Sequence, residues 1–315
     1  MHEYNKLMNE EIDYTNILEE IYEEVIPFIG KGKVASYIPE LERVDPDQFG
    51  MALCLNNGIE YVIGCSDKAV SIQSVSKVYS FALAYNELGE ELWGRLGREP
   101  SGSKFNSLIL LEREKGIPRN PFINAGAIVI ADVLMALYKN PKEKFVDFVR
   151  ELSGNPNLDI NNQMLQSELD FANVNYALSY FMKSYGNIEG DVSDVMNIYS
   201  SFCSLEMSCV DLARSLRILS QGGLNPWTKE RLITAQKTKR INSIMLTCGL
   251  YNGVGDFAYR VGIPAKSGVG GCVVGIIPGE MSLAVWSPSL DESGNSLAGI
   301  KAMELFTTKT GKSIF

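Results

Sequence analysis

Strand patterning occurs at both ends of this 315-residue chain and almost nowhere between them, which restricts its architecture more than any other feature. Residues 50–64 read GMALCLNNGIEYVIG, two apolar runs joined by Asn56, Asn57 and Gly58. Asn and Gly tolerate the positive φ of a tight turn, so the segment predicts a β-hairpin. Near the other end, DFAYRVGI (256–263), GVGGCVVGIIPG (268–279) and MSLAVWSP (281–288) read as three more strands with short Gly or Pro turns. From Ser74 to Ala235 the periodicity is helical, broken by loops rich in Gly, Pro and Asn. Two sheet-forming ends around a helical middle predict an α+β fold: an antiparallel sheet built from both termini, flanked by helices, with an inserted all-helical subdomain. The expected boundaries are 1–70 plus 236–315 for the sheet subdomain and 71–235 for the helical one, forming one catalytic domain.

The flanking helices are legible too. Ile17, Leu18, Ile21, Tyr22, Val25 and Ile26 form an apolar stripe on an acidic first helix, with Asn16 and Glu19 at capping-box spacing and Pro27 and Gly30 ending it. SLAGIKAMELFTT (296–308) reads as a closing helix.

Composition excludes several functions. A net charge of -9 opposes phosphate binding, so nucleic acid is not an expected partner. No apolar run is long enough to span a bilayer, and the first thirty residues lack the order of a secretory signal. The six cysteines, Cys54, Cys65, Cys203, Cys209, Cys248 and Cys272, show no CxxC pair and read as reduced core residues of a cytoplasmic protein. No metal is expected, because ligands are not clustered and the single histidine, His2, lies in a terminal segment.

That histidine shortage bears on QSVSK (73–77), where Ser74 precedes Lys77 by three residues. On the first turn of a helix the two share a face, and the helix start favours negative charge on a substrate oxygen. Lysine serves as a base only if desolvation makes its neutral form accessible. The bland alternative is a Ser74 N-cap and a solvated Lys77. The same spacing recurs at Ser101 and Lys104, where Pro100 and Gly102 argue for a loop. A second element, AKSGVGG (265–271), has the Lys-Ser-Gly pattern found on the strand beside the nucleophile in serine enzymes that use a lysine base. Its glycines allow close approach, so a backbone N–H there can complete an oxyanion hole. Lys309-Thr310-Gly311 repeats the pattern in the tail with no strand after it. Tyr37, Asn124, Glu168, Asn175, Tyr199 and Tyr251 are candidate polar contacts for a small substrate, each with an ordinary structural alternative.

In order along the chain, GKVASYIPEL, QSVSKVYSFALAYNELG, EPSGSKFN, NPFINAGAI, SSFCSLEMSC, CGLYNGVGDFA, GIPAKSGVGG and WSPSLDESGNS resemble the serine-dependent glutaminase family, which has the β-lactamase/transpeptidase-like fold. The resemblance implies hydrolysis of L-glutamine to L-glutamate and ammonia through an acyl-enzyme, with no cofactor. By it, Ser74 is the nucleophile, Lys77 its base and Tyr251 a hydroxyl relay, and the N–H groups of Ser74 and Val269 form the oxyanion hole. Substrate contacts fall on Tyr37, Asn124, Glu168, Asn175 and Tyr199, in addition to Ser74, Tyr251 and Val269. It also implies a homo-oligomer, a dimer or tetramer. The chain departs from common family residues at Val174, Asn252 and Val254, positions expected to flank the site. A β-lactam-binding enzyme of related fold and a catalytically silent glutamine binder are the alternatives.

Overall fold

A computed structural model of the chain describes residues 12–102 and 107–315; His2 and Lys104 lie outside the described residues. The strands, in chain order, are β1 (Gly50–Leu55), β2 (Glu60–Gly64), β3 (Val70–Ser71), β4 (Glu206–Met207), β5 (Ala265–Ser267), β6 (Cys272–Ile277) and β7 (Met281–Trp286). The Asn56–Gly58 turn joins β1 to β2 as expected: Gly58 has φ +94, and Asn57 Oδ1 accepts the Ile59 N–H at 3.0 Å. Five strands form one antiparallel sheet in the order β2-β1-β7-β6-β5, with Leu53 opposite Leu283 across the β1–β7 pair.

Successive residues of a strand point to opposite faces, and here both faces are buried. Met51, Leu53, Val273, Leu283 and Val285 pack against the first helix, Tyr14–Val25, and the last, Leu297–Thr310. Their neighbours Ala52, Cys54, Val274, Ala284 and Trp286 pack against the helical middle of the chain. The sheet therefore joins two cores, one closed by the termini and one by the insertion.

Three details differ from the sequence-based expectation. The first helix is capped by Asp13, whose Oδ1 accepts the Asn16 N–H at 3.1 Å, and Asn16 lies inside the helix with its side chain on Glu20. DFAYRVGI is mostly helical: Val254–Arg260 forms a helix that buries Phe257, with Val261 buried four residues on and Tyr259 turned outward. That is helical spacing, which short apolar segments do not distinguish from a strand. The edge strand is instead β5, in AKS. The insertion is also not purely helical, because β4 pairs with β3 directly before the QSVSK segment.

Candidate active site

The QSVSK segment turns sharply before it becomes helix. Gln73–Val75 is a single 3-10 turn, and the α-helix Ser76–Leu88 starts immediately after it. Gln73 has φ +48, a left-handed conformation that is unfavourable for a side chain-bearing residue. This turn sets Ser74 at the mouth of a helix, neither inside it nor as its N-cap. Ser74 is buried but lines a pocket of about 210 Å³, together with Tyr37, Asn124, Glu168, Asn175 and Tyr199. A groove of about 780 Å³ between Leu219, Asn242, Pro278 and Ile314 is larger, but none of the residues that line Ser74's pocket borders it. Size does not locate the chemistry here.

Lys77 is 1% exposed, because the whole stretch from Ser76 to Tyr85 is enclosed by other elements. Its Nζ donates to Asn124 Oδ1 at 2.7 Å and to the Phe122 carbonyl at 3.4 Å. Burial pushes the amine down to about 8, against opposing influences from Cys203 and Glu168. A lysine at that value is neutral in about one molecule in ten at pH 7, which makes a usable base. Asn124 opens the helix Asn124–Leu137, and the loop before it is held by Asn120, whose Oδ1 accepts the Phe122 and Ile123 N–H groups at 2.9 and 3.1 Å. Because Asn124 Oδ1 accepts from lysine, its Nδ2 is the donor, and it reaches Asn175 Oδ1 at 3.0 Å.

Glu168, on the helix Asn162–Asp170, is buried, and its Oε1 has no hydrogen-bond partner among the described residues. Burial pushes this carboxyl up to about 7, while a Gln73 hydrogen bond and the Lys77 charge hold it back. An unpartnered carboxylate oxygen in a pocket fits a ligand cation.

Tyr251 and Val269 come from the far end of the chain. Gly268 brings the β5–β6 turn against Ser74: a Cβ there would lie 2.8 Å from the Ile72 carbonyl oxygen and 3.3 Å from Ser74 N. Val269, the next residue, lines the pocket. Tyr251 also has a positive φ, +50, and packs with Val269 in a small cluster that includes Ile38, Leu41 and Met164. Its hydroxyl donates to the Ser267 carbonyl at 3.4 Å, and burial raises its phenol pKa while a hydrogen bond with Ser74 opposes the rise.

A family model for glutaminase matches residues 32–315. The chain belongs to the glutaminase family. It is 50% identical over 304 residues to a glutaminase of Ralstonia nicotianae and 52% identical over 305 residues to one of Aliarcobacter butzleri, covering 96% of this chain and 100% of theirs in both cases. A probable glutaminase from Bacillus subtilis, solved in complex with 6-diazo-5-oxo-L-norleucine, superposes with a TM-score of 0.87 at 30% identity, covering 98% of each chain. The fold is accordingly the β-lactamase/transpeptidase-like α+β fold of the glutaminase family.

Within this family framework, the residues singled out from sequence converge: Tyr37, Ser74, Asn124, Glu168, Asn175, Tyr199 and Val269 line one pocket, and Lys77 and Tyr251 reach it from behind through Asn124 and Ser74. Val174, expected to flank the site, stands on its wall beside Phe171 and is about half-exposed. One further residue, not among the sequence candidates, belongs to the pocket. Gln73 lines the pocket, hydrogen-bonds Glu168 and donates to Ser71 Oγ at 2.9 Å; its positive φ has no sequence signature. Lys266, the lysine of the AKSGVGG element, is fully buried behind Tyr251.

Gly268→Ala tests the approach of the two segments. The added methyl must displace either the Ser74 turn or the Val269 loop, and we expect kcat to fall about 10²- to 10³-fold, as for loss of an oxyanion donor. Steady-state turnover within threefold of the parent would contradict this placement.

Proposed function

We propose that Ser74 attacks the side-chain amide of L-glutamine, with Lys77 as base, to release ammonia and then L-glutamate through an acyl-enzyme. As a member of the glutaminase family the chain is an amidohydrolase. The observation that supports the residue assignment is the meeting, in one small pocket, of a helix-mouth serine, a buried glutamate with a free oxygen, and the Asn124 amide that holds a desolvated lysine. The Glu168 carboxylate would pair with the substrate α-ammonium, while Asn124, Asn175 and the phenols of Tyr37 and Tyr199 supply the polar groups for its carboxylate. The Bacillus neighbour's ligand supports the same reading, since 6-diazo-5-oxo-L-norleucine is an L-amino acid with a carbonyl at the position of glutamine's amide carbon.

In the first step Ser74 Oγ bonds to the amide carbon as its proton passes to Lys77 Nζ, and the oxyanion rests on the Ser74 and Val269 N–H groups. The C–N bond then breaks as the nitrogen takes a proton through the Tyr251 hydroxyl, which is replenished from Lys77 by way of the reacting centre. Water repeats the sequence to release glutamate. Ser74→Ala should abolish ammonia release from L-glutamine while substrate still binds; turnover above about 1% of the parent would overturn the nucleophile assignment.

The reaction needs Glu168 ionised and Lys77 neutral. Protonation of Glu168 below about 7 removes the ammonium's partner, and Lys77 frees its amine only as pH passes about 8. Both effects have the same sign, so kcat/KM should rise through pH 7–8. A profile flat or falling between pH 6 and 8.5 would contradict it.

A homo-oligomer, at least a dimer, is proposed for the assembly, with Val174 and Tyr180 on the helix Asn173–Ser184 offering exposed apolar surface. The first helix is unsuited to that role, because its stripe is buried within the chain. Light scattering at micromolar concentration should give at least twice the mass of one chain; the mass of one chain would refute it. The cytoplasm is the proposed compartment, supported by six unpaired cysteines.

A further inference from the structure

The turn that carries Val269, Gly268-Val269-Gly270-Gly271 between β5 and β6, is otherwise all glycine. Glycine leaves the backbone its widest choice of conformation, so the shape of this turn has to come from its partners. The Gly271 N–H closes it on the Gly268 carbonyl at 2.9 Å, and the Gly268 N–H donates to the Cys272 carbonyl at 2.8 Å. On its outer side the Gly271 carbonyl accepts the Ser287 N–H at 3.1 Å. The N–H groups of Val269 and Gly270 meet no backbone acceptor among the described residues. A single side chain among those residues hydrogen-bonds the turn: the Trp286 indole Nε1–H donates to the Gly270 carbonyl at 2.9 Å. Trp286 is 1% exposed and stands on β7 opposite Cys272 of β6 and Gly50 of β1. Diagonal positions on adjacent strands lie within reach of an aromatic side chain, so an indole opposite Cys272 can bond a carbonyl two residues earlier.

We infer that Trp286 is a positioning residue for the Val269 N–H: by holding the Gly270 carbonyl, its indole fixes the tilt of the glycine turn against Ser74. The inference rests on the reading of the Val269 N–H as an oxyanion donor. The inner side of the turn is set by contact, since a Cβ at Gly270 would lie 2.8 Å from the Ser71 carbonyl oxygen, as one at Gly268 would from that of Ile72. Contact stops the turn from moving inward, and the indole bond stops it from rolling outward. Without that N–H the Gly270 carbonyl loses its donor and can regain one only from water, in the groove of about 490 Å³ that Gly270 and Trp286 border with Lys68. Rolling that way carries the Val269 N–H off the line to the reacting carbon, and an oxyanion donor acts only when aimed where charge develops. Lys68 Nζ, 5.1 Å from the ring centre, covers the indole on the groove side. Trp286 does not line the substrate pocket, so its effect passes through the turn and not through substrate binding.

The test uses the full chain with Trp286→Phe, with Gly268→Ala, with both, and with benzothienylalanine at position 286, which keeps the shape of tryptophan and puts sulfur in place of the indole N–H. The benzothienyl variant should lower kcat by about tenfold or more, while KM and the inhibition constant of the product L-glutamate stay within about threefold. Trp286→Phe should lose kcat to the same extent and also unfold at a lower temperature, because the smaller ring leaves a cavity. In the Gly268→Ala background, Trp286→Phe should add less than about a threefold loss, since both changes act on the same N–H. If the benzothienyl variant keeps kcat within about threefold while Gly268→Ala is impaired, the role of Trp286 is refuted and the oxyanion reading stands. If Gly268→Ala is itself unimpaired, the oxyanion reading fails and the role of Trp286 with it. A weakening of L-glutamate binding as large as the loss in kcat would show that Trp286 shapes the pocket, and would also overturn the inference. Should Trp286→Phe not fold, the benzothienyl variant decides by the same thresholds.

Discussion

The proposed chemistry depends on holding one lysine amine out of water without giving it a full counter-charge. Lys77 is enclosed by its own helix and by the helix Asn124–Leu137, and its nearest partners are an amide oxygen and a backbone carbonyl. A carboxylate in that position would keep the ammonium form and remove the base. The neutral carboxamide of Asn124 satisfies the amine's hydrogen bonds while leaving desolvation as the dominant influence. Asn124 then passes its remaining donor to Asn175, so the group that holds Lys77 is linked directly to the pocket wall.

Glu168 completes this balance. Its charge raises the Lys77 pKa, and the Lys77 charge lowers its own, so each resists the neutralisation that burial favours. A substrate ammonium set against Glu168 cancels much of the field felt by Lys77. Under the proposed mode of binding, the base is therefore released from its proton when substrate arrives. The two groups stand on different helices of the insertion, whereas the loop that carries Val269 comes from the sheet. Gly268 lets these parts meet at backbone distance, where any other residue would hold them apart.

Elements whose identity is decided locally were legible in the sequence. The Asn56-Asn57-Gly58 hairpin, β6, β7 and the closing helix follow from turn chemistry and long apolar runs. The residues proposed as nucleophile and partners were picked out by ordered blocks that resemble the glutaminase family. What remained hidden depends on tertiary packing. Phe257 and Val261 look equally suited to a strand or a helix until their neighbours are known. Asp13 takes the capping role expected of Asn16 because Tyr14 is itself part of the buried face, so the helix begins ahead of Asn16.

The left-handed backbone at Gln73 and at Tyr251 fits the same picture. Each such conformation costs on the order of 1–3 kcal/mol and persists only where the surroundings enforce it. Gln73 is fixed by the β3–β4 pair directly before it, with Ile72 N–H on the Leu205 carbonyl, and by the helix directly after it. Tyr251 is fixed by the end of the helix Ala235–Cys248, by the contact of Gly249 with β5, and by the cluster with Val269. Both strained residues adjoin Ser74, one through the chain and one through a hydrogen bond. Relaxing either would turn the serine or the phenol away from the other. The two cores on opposite faces of the sheet thus sustain a serine turn and a phenol that neither segment would adopt by itself.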